Sequence, residues 1–295
     1  MDAALLLELA INGVFIGLMY ALVAAGIVLI YKTSGIANLA QGALAMTGAY
    51  VAWLISALIG IPILMAVPIA VIAMFGIGAL IERVAMRRMI GQPLIMAIML
   101  TMGMDIFLRG LMPGLLGASV KKIDIGISNA PIILGEILIN RTLLTGGVVS
   151  FLMIIGSILF FNSRLGVVMR AVSDDQMASW SVGIRVERAI AIAWGLSAVM
   201  ATTAGVLWGA TQGVDWSLSL LLIKALAIAI LGGLDSIPGV LIAGVLVGLI
   251  ESLATGIIDP IIGGGSREII ASAIILATLL VRPHGLLGRE HIERV

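Results

Sequence analysis

Of 295 residues only 33 are charged, 17 of them Lys or Arg and 16 Asp or Glu, while 61% are hydrophobic and 36 are glycine. A soluble domain carries roughly 25% charge, and surface-to-volume scaling leaves a core of this size unable to hide so much apolar surface. Lipid must therefore be the solvent, which excludes a soluble enzyme, a nucleic-acid-binding domain and a disordered scaffold.

The chain has no cysteine, so neither a disulfide framework nor a thiolate metal site is expected. Its first ten residues carry Asp2 and Glu8 but no Lys or Arg. They lack the basic start of a secretory signal and read as mature protein. The net charge of +1 says nothing of partners; where the charges sit matters more.

A membrane helix needs about 20 mostly apolar residues. In chain order nine stretches meet or approach that: 9–31, 36–58, 62–81, 94–112, 143–161, 189–211, 218–234, 239–258 and 269–281. The second holds Asn38 and Gln41, the seventh holds Lys224, and the last is short. One or two of the nine can be broken or re-entrant. The prediction is an all-α polytopic transmembrane helix bundle of about eight to ten spans, forming one domain over 1–295.

Charge orients the bundle, because cytoplasmic loops collect Lys and Arg. With the N-terminus outside, the inner side receives Lys32, Arg83, Arg87, Arg88, Arg164, Arg170, Arg185, Arg188, Arg282, Arg289 and Arg294. The outer side receives Lys121, Lys122, Arg141 and Arg267. Nine spans then place the C-terminus in the cytoplasm. The three most basic segments, 82–91, 162–188 and the tail, agree in parity.

Two connections are longer than turns. Segment 113–141, on the outer side, mixes Gly, Pro, Lys and Asp with a short apolar run at 132–134 and reads as lying along the membrane surface. Segment 162–188 reads as a short helix over 165–172, a break at Ser173, Asp174 and Asp175, and a second helix to Trp180. Both aspartates fall at a predicted helix N-terminus, where carboxylates cap free N–H groups. Inside the spans, Gly13 with Gly17 and Gly244 with Gly248 are small residues four apart, and Gly76 and Gly78 lie close together. Such spacing lets helix backbones approach closely.

No catalytic constellation is visible. His284 and His291 both sit in the tail, the acidic residues are scattered, and there is no G-x-x-x-x-G-K-[ST] phosphate loop. Any ATPase must be another polypeptide, and the simplest role is a conduit. Polar groups inside the membrane are expensive and so are candidate path residues. Asp105 and Arg109, four apart on one helix, can pair. Lys224 can pair with Glu251 of the next span or face an anion. Asn38 and Gln41, flanked by Gly and Ala, suggest a broken helix whose free backbone groups need a partner. Thr101 and Gly103 are weaker candidates of the same kind. A secondary transporter using Asp105, Lys224 and Glu251 as an ion relay is the competing class. An intramembrane enzyme would need clustered ionisable groups, and none is found.

Several strings together resemble the membrane permease of the branched-chain amino-acid type of ABC importer. N-G-V-F-I-G-L-M-Y-A-L-V-A-A-G-I-V-L-I-Y looks like the family's first helix, and N-L-A-Q-G-A-L-A-M-T-G-A-Y is similar to the segment that follows it. R-A-V-S-D-D-Q-M-A-S-W-S-V-G-I resembles the family's ATPase-docking loop. K-A-L-A-I-A-I-L-G-G-L-D-S-I-P-G and R-P-H-G-L-L-G-R look like its two late segments. The five cover nearly the whole length in the right order. The resemblance implies a non-enzymatic transport subunit in a bacterial or archaeal inner membrane. It implies that Arg170, Ala171, Asp174, Asp175, Ala178 and Gly183 couple to the ATPase, while Asn38, Gln41, Thr101, Asp105 and Lys224 remain the path residues expected from their polarity within the spans.

The partners it implies are a second homologous permease, two ATP-binding subunits that hold ATP and Mg, an extracytoplasmic solute-binding protein and a small solute. No cofactor is expected in this chain. Two positions depart from the family pattern, Ala43 where Glu is frequent and Asp235 where Gly is usual. The family handles leucine-like amino acids, and relatives carry urea, short amides or organic and aromatic acids.

Overall fold

The computed structural model describes residues 3–89, 91–127, 130–135, 137–262, 264–281 and 285–288. Asp2 and the tail residues Arg282, His284, Arg289, His291 and Arg294 lie outside the described residues. The elements run α1 (Ala3–Ser34), α2 (Gln41–Ile59), α3 (Ile63–Val84), α4 (Leu94–Leu116), β1 (Ile132–Leu134), β2 (Ile137–Ile139) and α5 (Arg141–Phe161). They continue with α6 (Arg164–Asp174), α7 (Gln176–Ser181), α8 (Val186–Gln212), α9 (Leu221–Gly232), α10 (Ile237–Ile262) and α11 (Ser266–Val281). Short 3-10 turns occupy Met86–Met89 and Trp216–Leu220.

The molecule is an all-α membrane bundle. Among the described residues seven helices, α1 to α5, α8 and α10, are long and apolar enough to cross a membrane. The seventh and ninth predicted stretches form shorter apolar helices. α9 has 12 residues, about 18 Å at 1.5 Å per residue, and α11 has 16, about 24 Å; a bilayer core is about 30 Å thick. A 3-10 turn extends α9 backward, so Trp216–Gly232 is one continuous apolar segment. The second stretch is interrupted as expected: α1 runs on to Ser34, Gly35 turns with φ 71°, and α2 starts only at Gln41.

The 113–141 connection begins later than the sequence bounds and is partly structured. α4 continues through Pro113 to Leu116, and β1 pairs with β2 as a small antiparallel hairpin. The hairpin is held to α1: Asn12 Nδ2 donates to the Leu138 carbonyl at 3.2 Å, and Leu138 N donates to Glu8 at 3.3 Å.

These contacts fix the two ends of the bundle. The start of α1 sits with the hairpin, whereas its last turn carries Lys32, whose Nζ lies 5.2 Å from the Phe161 ring at the mouth of the 162–188 loop. The described basic residues predicted for one side, from Lys32 to Arg188, accordingly gather at the loop end. Lys121, bridged to Val214 beyond α8, and Arg141 at the start of α5 lie at the opposite end.

α1 is apolar all round and, from Leu18 to Ile30, buried, as such a helix must be. It packs against α10, α8, α5 and α9. The α1–α10 seam joins the two small-residue pairs found separately in the sequence. A Cβ on Gly13 would come within 2.8 Å of the Gly248 carbonyl, and one on Gly17 would overlap the Gly244 carbonyl. Gly76, by contrast, has nothing within 4 Å of a built Cβ. α3, α4 and α5 turn Leu64, Ile72, Ile106, Phe107, Leu152 and Leu159 outward, the apolar belt that lipid requires.

Candidate functional site

The break between α1 and α2 is where the predicted path residues come together. Asn38 and Gln41 are both fully buried. Asn38 Oδ1 accepts from Ala40 N at 3.0 Å, covering a backbone donor that the interrupted helix would otherwise leave orphaned. Asn38 Nδ2 donates to Gln41 Oε1 at 3.1 Å, and Gln41 Nε2 donates to the Ser197 carbonyl at 3.2 Å. Ser197 Oγ lies 2.9 Å from both Gln41 Oε1 and the Gly26 carbonyl. Only a glycine at 26 leaves room, because a Cβ there would collide with the Gln41 amide. Thr101 closes the group from α4: its hydroxyl donates to the Ile98 carbonyl at 2.9 Å and accepts from Leu39 N at 3.3 Å. The break is thus a closed hydrogen-bonded knot joining α1, α2, α4 and α8. Each buried polar group is satisfied, as burial in low dielectric demands.

Ser197 was missed at sequence level because a lone serine in an apolar helix is indistinguishable from a packing residue. Ala43, one of the family departures, is fully buried in the core beyond this knot.

The other two path candidates lie elsewhere. Asp105 pairs with Arg109 at 2.5 Å one turn along α4, with the carboxylate largely buried. Lys224 of α9 pairs with Glu251 of α10 at 2.6 Å, with side-chain exposures of 14% and 3%. Arg267 stands 3.8 Å from the same carboxylate oxygen, and Lys224 lies 5.2 Å from the Tyr20 ring. Three of the five thus meet in the knot, Asp105 sits one turn along α4 from Thr101, and Lys224 belongs to the separate α9–α10 pair.

Removing one partner of a buried pair strands a charge and costs about 3–5 kcal/mol, whereas replacing both is far milder. Lys224→Met and Glu251→Met are each expected to lower the melting temperature of the detergent-solubilised chain, and the double variant to recover most of the loss. A double variant as unstable as the sum of the singles would rule out pairing as the role of these residues.

The 162–188 loop is structured, with one change from prediction. Ser173 and Asp174 are helical, and the break is confined to Asp175, whose extended backbone (φ −156°) separates α6 from α7. α6 continues because the amide of Asp175 still bonds the Ala171 carbonyl at 3.2 Å. Asp175 Oδ1 then caps α7 by accepting from Ala178 N at 2.9 Å. Asp174, predicted at an N-terminus, ends α6 instead, where a carboxylate opposes the helix dipole.

The elbow angle is fastened by Ser179 Oγ donating to the Ala171 carbonyl at 2.9 Å and by the Arg170 guanidinium on the Phe161 carbonyl. Gly183, at φ 85°, ends α7 in the left-handed region that favours glycine. Asp174, Asp175, Ala178 and Gly183 are all exposed, while Arg170 and Ala171 are half-buried. Leu165, Val167, Met177, Trp180 and Val182 are exposed apolar neighbours on the same loop.

A cavity of about 220 Å³ lies between the loop and the segment that leads into the knot. Gln176 of α7, Ile36 of the break and Glu82 of α3 all line it. Glu82, fully buried, is held by Arg87 at 3.0 Å; the sequence reading had counted this segment only for its basic residues. At the same end of the bundle the two late segments meet. Ser236 Oγ accepts from Gly239 N at 3.1 Å to cap α10, while Leu286 N donates to the Leu231 carbonyl at 2.7 Å and Leu287 N to the Gly232 carbonyl at 3.2 Å. The closing G-L-L-G thereby satisfies the free carbonyls that end α9.

The described residues form a polytopic apolar helix bundle with a structured loop at one end. Residues 9–281 match the family model described as branched-chain amino acid transport system, permease component, and the chain belongs to that family. It is 32% identical to the high-affinity branched-chain amino acid transport system permease protein BraD of Pseudomonas aeruginosa, over 98% of each chain. It is 31% identical to LivH of Escherichia coli, over 98% of this chain and 97% of that one. A probable LivH permease of the archaeon Methanocaldococcus jannaschii is 30% identical, over 90% and 88%. The chain is thus a multi-pass membrane permease component of the ABC transporter class.

Proposed function

We propose that this chain forms half of the translocation path of an ABC importer for branched-chain or related small amino acids. ATP and Mg are held by two separate ATPase subunits, a second homologous permease completes the path, and an extracytoplasmic binding protein delivers the solute. The loop end faces the cytoplasm, in keeping with its excess of Lys and Arg, so the N-terminus is outside and the C-terminus inside. The observation that carries the reading is the α6–α7 elbow. An exposed, internally fastened pair of short helices bearing five outward apolar side chains is built to lie against another protein. Family membership makes an ATPase the fitting partner.

The elbow also has somewhere to send a motion. Gln176 and Ile36 share a cavity wall, so displacement of α7 bears on the segment that carries Asn38 and Gln41. The knot is closed in this conformation, and opening it exposes two amides and Thr101 to a passing solute. Alternating access then consists of population shift between a closed and an opened knot, driven by ATPase closure.

The test is purification of the tagged chain from its native membrane in mild detergent, with the co-purifying proteins identified. The expected result is a P-loop ATPase and a second permease. Recovery of the chain alone, with solute uptake intact in ATP-free vesicles, would favour the ion-coupled carrier instead.

A further inference from the structure

α4 is held along one side. Its buried residues Ala97, Thr101, Asp105 and Leu108 form a single stripe, while Ile106 and Phe107 beside them are exposed. The helix packs mainly on α2 and otherwise meets the two 3-10 turns. Two fixings hold it. Thr101 accepts from Leu39 N at 3.3 Å, and beyond the far end Lys121 exchanges backbone hydrogen bonds with Val214 at 2.9 and 2.8 Å. Lys121 Nζ also lies 5.0 Å from the Trp53 ring of α2. The chain enters and leaves α4 through Gly91 (φ 80°) and Gly117 (φ 88°), residues that turn with little resistance.

Between those fixings the α2–α4 seam holds polar groups that nothing in the protein satisfies. On α2, Ala45 and Gly48 lie against α8: a Cβ on Gly205 would overlap the Ala45 carbonyl, and one on Gly48 would meet Thr202. Thr47 and Tyr50 come two residues after these, which at 3.6 residues per turn puts them on the opposite side. α4 covers that side, because α3 packs chiefly on α8 and the Trp216–Leu220 turn lies against Gly42. Thr47 is 2% and Tyr50 0% exposed, and neither hydroxyl has a hydrogen-bond partner. On α4, Asp105 Oδ1 and Arg109 Nε, atoms outside that pair's own bond, are also buried without a partner. Buried polar groups are nearly always satisfied. Four such atoms on two packed helices mark a surface shaped for a wetter state than this one.

We propose that α4 is the moving wall of the translocation path and that Thr47 and Tyr50 line it. When α4 parts from α2, water enters the seam and the two hydroxyls meet the polar groups of the passing solute. The proposal rests on the importer reading above. It extends the path from the knot, which α4 joins through Thr101, toward the end of the bundle opposite the loop. The α1–α10 seam, closed by backbone on backbone at Gly17 and Gly244, offers no such opening.

The chain has no cysteine, so single cysteines report water entry directly. Thr47→Cys is compared with Val23→Cys on the buried α1, each in the assembled importer in proteoliposomes. Labelling of this chain by a membrane-impermeant cationic methanethiosulfonate is followed with and without ATP and L-leucine. Thr47→Cys should label faster during turnover than at rest, and Val23→Cys in neither condition. Thr47→Val and Tyr50→Phe remove only the hydroxyls. Each should keep or raise the melting temperature, because an unsatisfied buried group is lost. Each should nonetheless slow ATP-driven leucine uptake about five- to tenfold, the worth of one neutral hydrogen bond. A hydroxyl that merely packs would show the reverse, a lower melting temperature with uptake unchanged. That pattern in both variants, or no acceleration of Thr47→Cys labelling during turnover, would overturn the proposal.

The same data separate the two readings. Normal ATP-driven uptake in both hydroxyl variants, with Thr47→Cys inert, would remove this seam and leave the importer standing. Labelling of Thr47→Cys accelerated by L-leucine alone, with no ATP-driven uptake at all, would keep the seam and remove the importer.

Discussion

Changing both carboxylates at the elbow to lysine, Asp174→Lys with Asp175→Lys, is expected to abolish ATP-coupled uptake while leaving membrane insertion intact. The two residues contribute differently. Asp175 caps α7 through Ala178 N, and loss of such a cap costs about 1 kcal/mol, enough to loosen a six-residue helix and too little to unfold a bundle of seven long spans. Asp174 is exposed at the C-terminal end of α6, where its charge opposes the dipole. It gains no fold stability from that position, so its replacement tests the proposed coupling role without a large loss of fold stability.

Asn replacements separate the two contributions, because Asn caps as well as Asp. Asp175→Asn should retain coupling, whereas Asp174→Asn should reduce it without changing the melting temperature. The measurement is ATP-dependent solute uptake in vesicles holding the assembled importer, alongside ATPase co-purification. Undiminished uptake by the double lysine variant would remove the elbow from the coupling path.

Much of this molecule could be read from its residues, and what could not has a physical reason. The spans were legible because each signal is local, a run of apolar residues against a fixed bilayer thickness. The elbow was legible because Asp-Asp between two short amphipathic runs is a helix-break pattern. Its position was placed two residues early, since a backbone amide still bonded to Ala171 leaves no mark in sequence. The pairing of Lys224 with Glu251 followed from comparable depth in adjacent spans. The knot was only half legible. Asn38 and Gln41 announced a break, but Ser197, which bonds Gln41, and Thr101, which accepts from Leu39 N, lie 156 and 62 residues away in those hydrogen bonds, and only the packing of α2 against α8 and α4 unites them. Arg267 was read only as one of the outer-side charges for the same reason.

The largest structural effect is expected at the α1–α10 seam. Gly17→Leu places a branched side chain where even a Cβ overlaps the Gly244 carbonyl, and Gly248→Leu does the same against the backbone of Gly13 and Gly17. Overpacking of side chains in a core costs typically 1–3 kcal/mol because rotamers can yield. Here the obstacle is backbone on both sides, so two whole helices must separate. α1 cannot move alone, because it also contacts α5, α8 and α9. In lipid there is no hydrophobic drive to compensate, since bundle association rests on close packing.

Gly76→Leu is the matched control, equally apolar and equally placed in a membrane helix but facing open space. The expected outcome is a monodisperse, native-like elution profile and an unchanged melting temperature for Gly76→Leu, against aggregation or a drop of many degrees for Gly17→Leu and Gly248→Leu. If all three behaved alike, the close seam would not be what holds α1 at the centre of the bundle. The elbow, which reaches the bundle through α1, α5 and α8, would then have to transmit its proposed motion through α5 and α8.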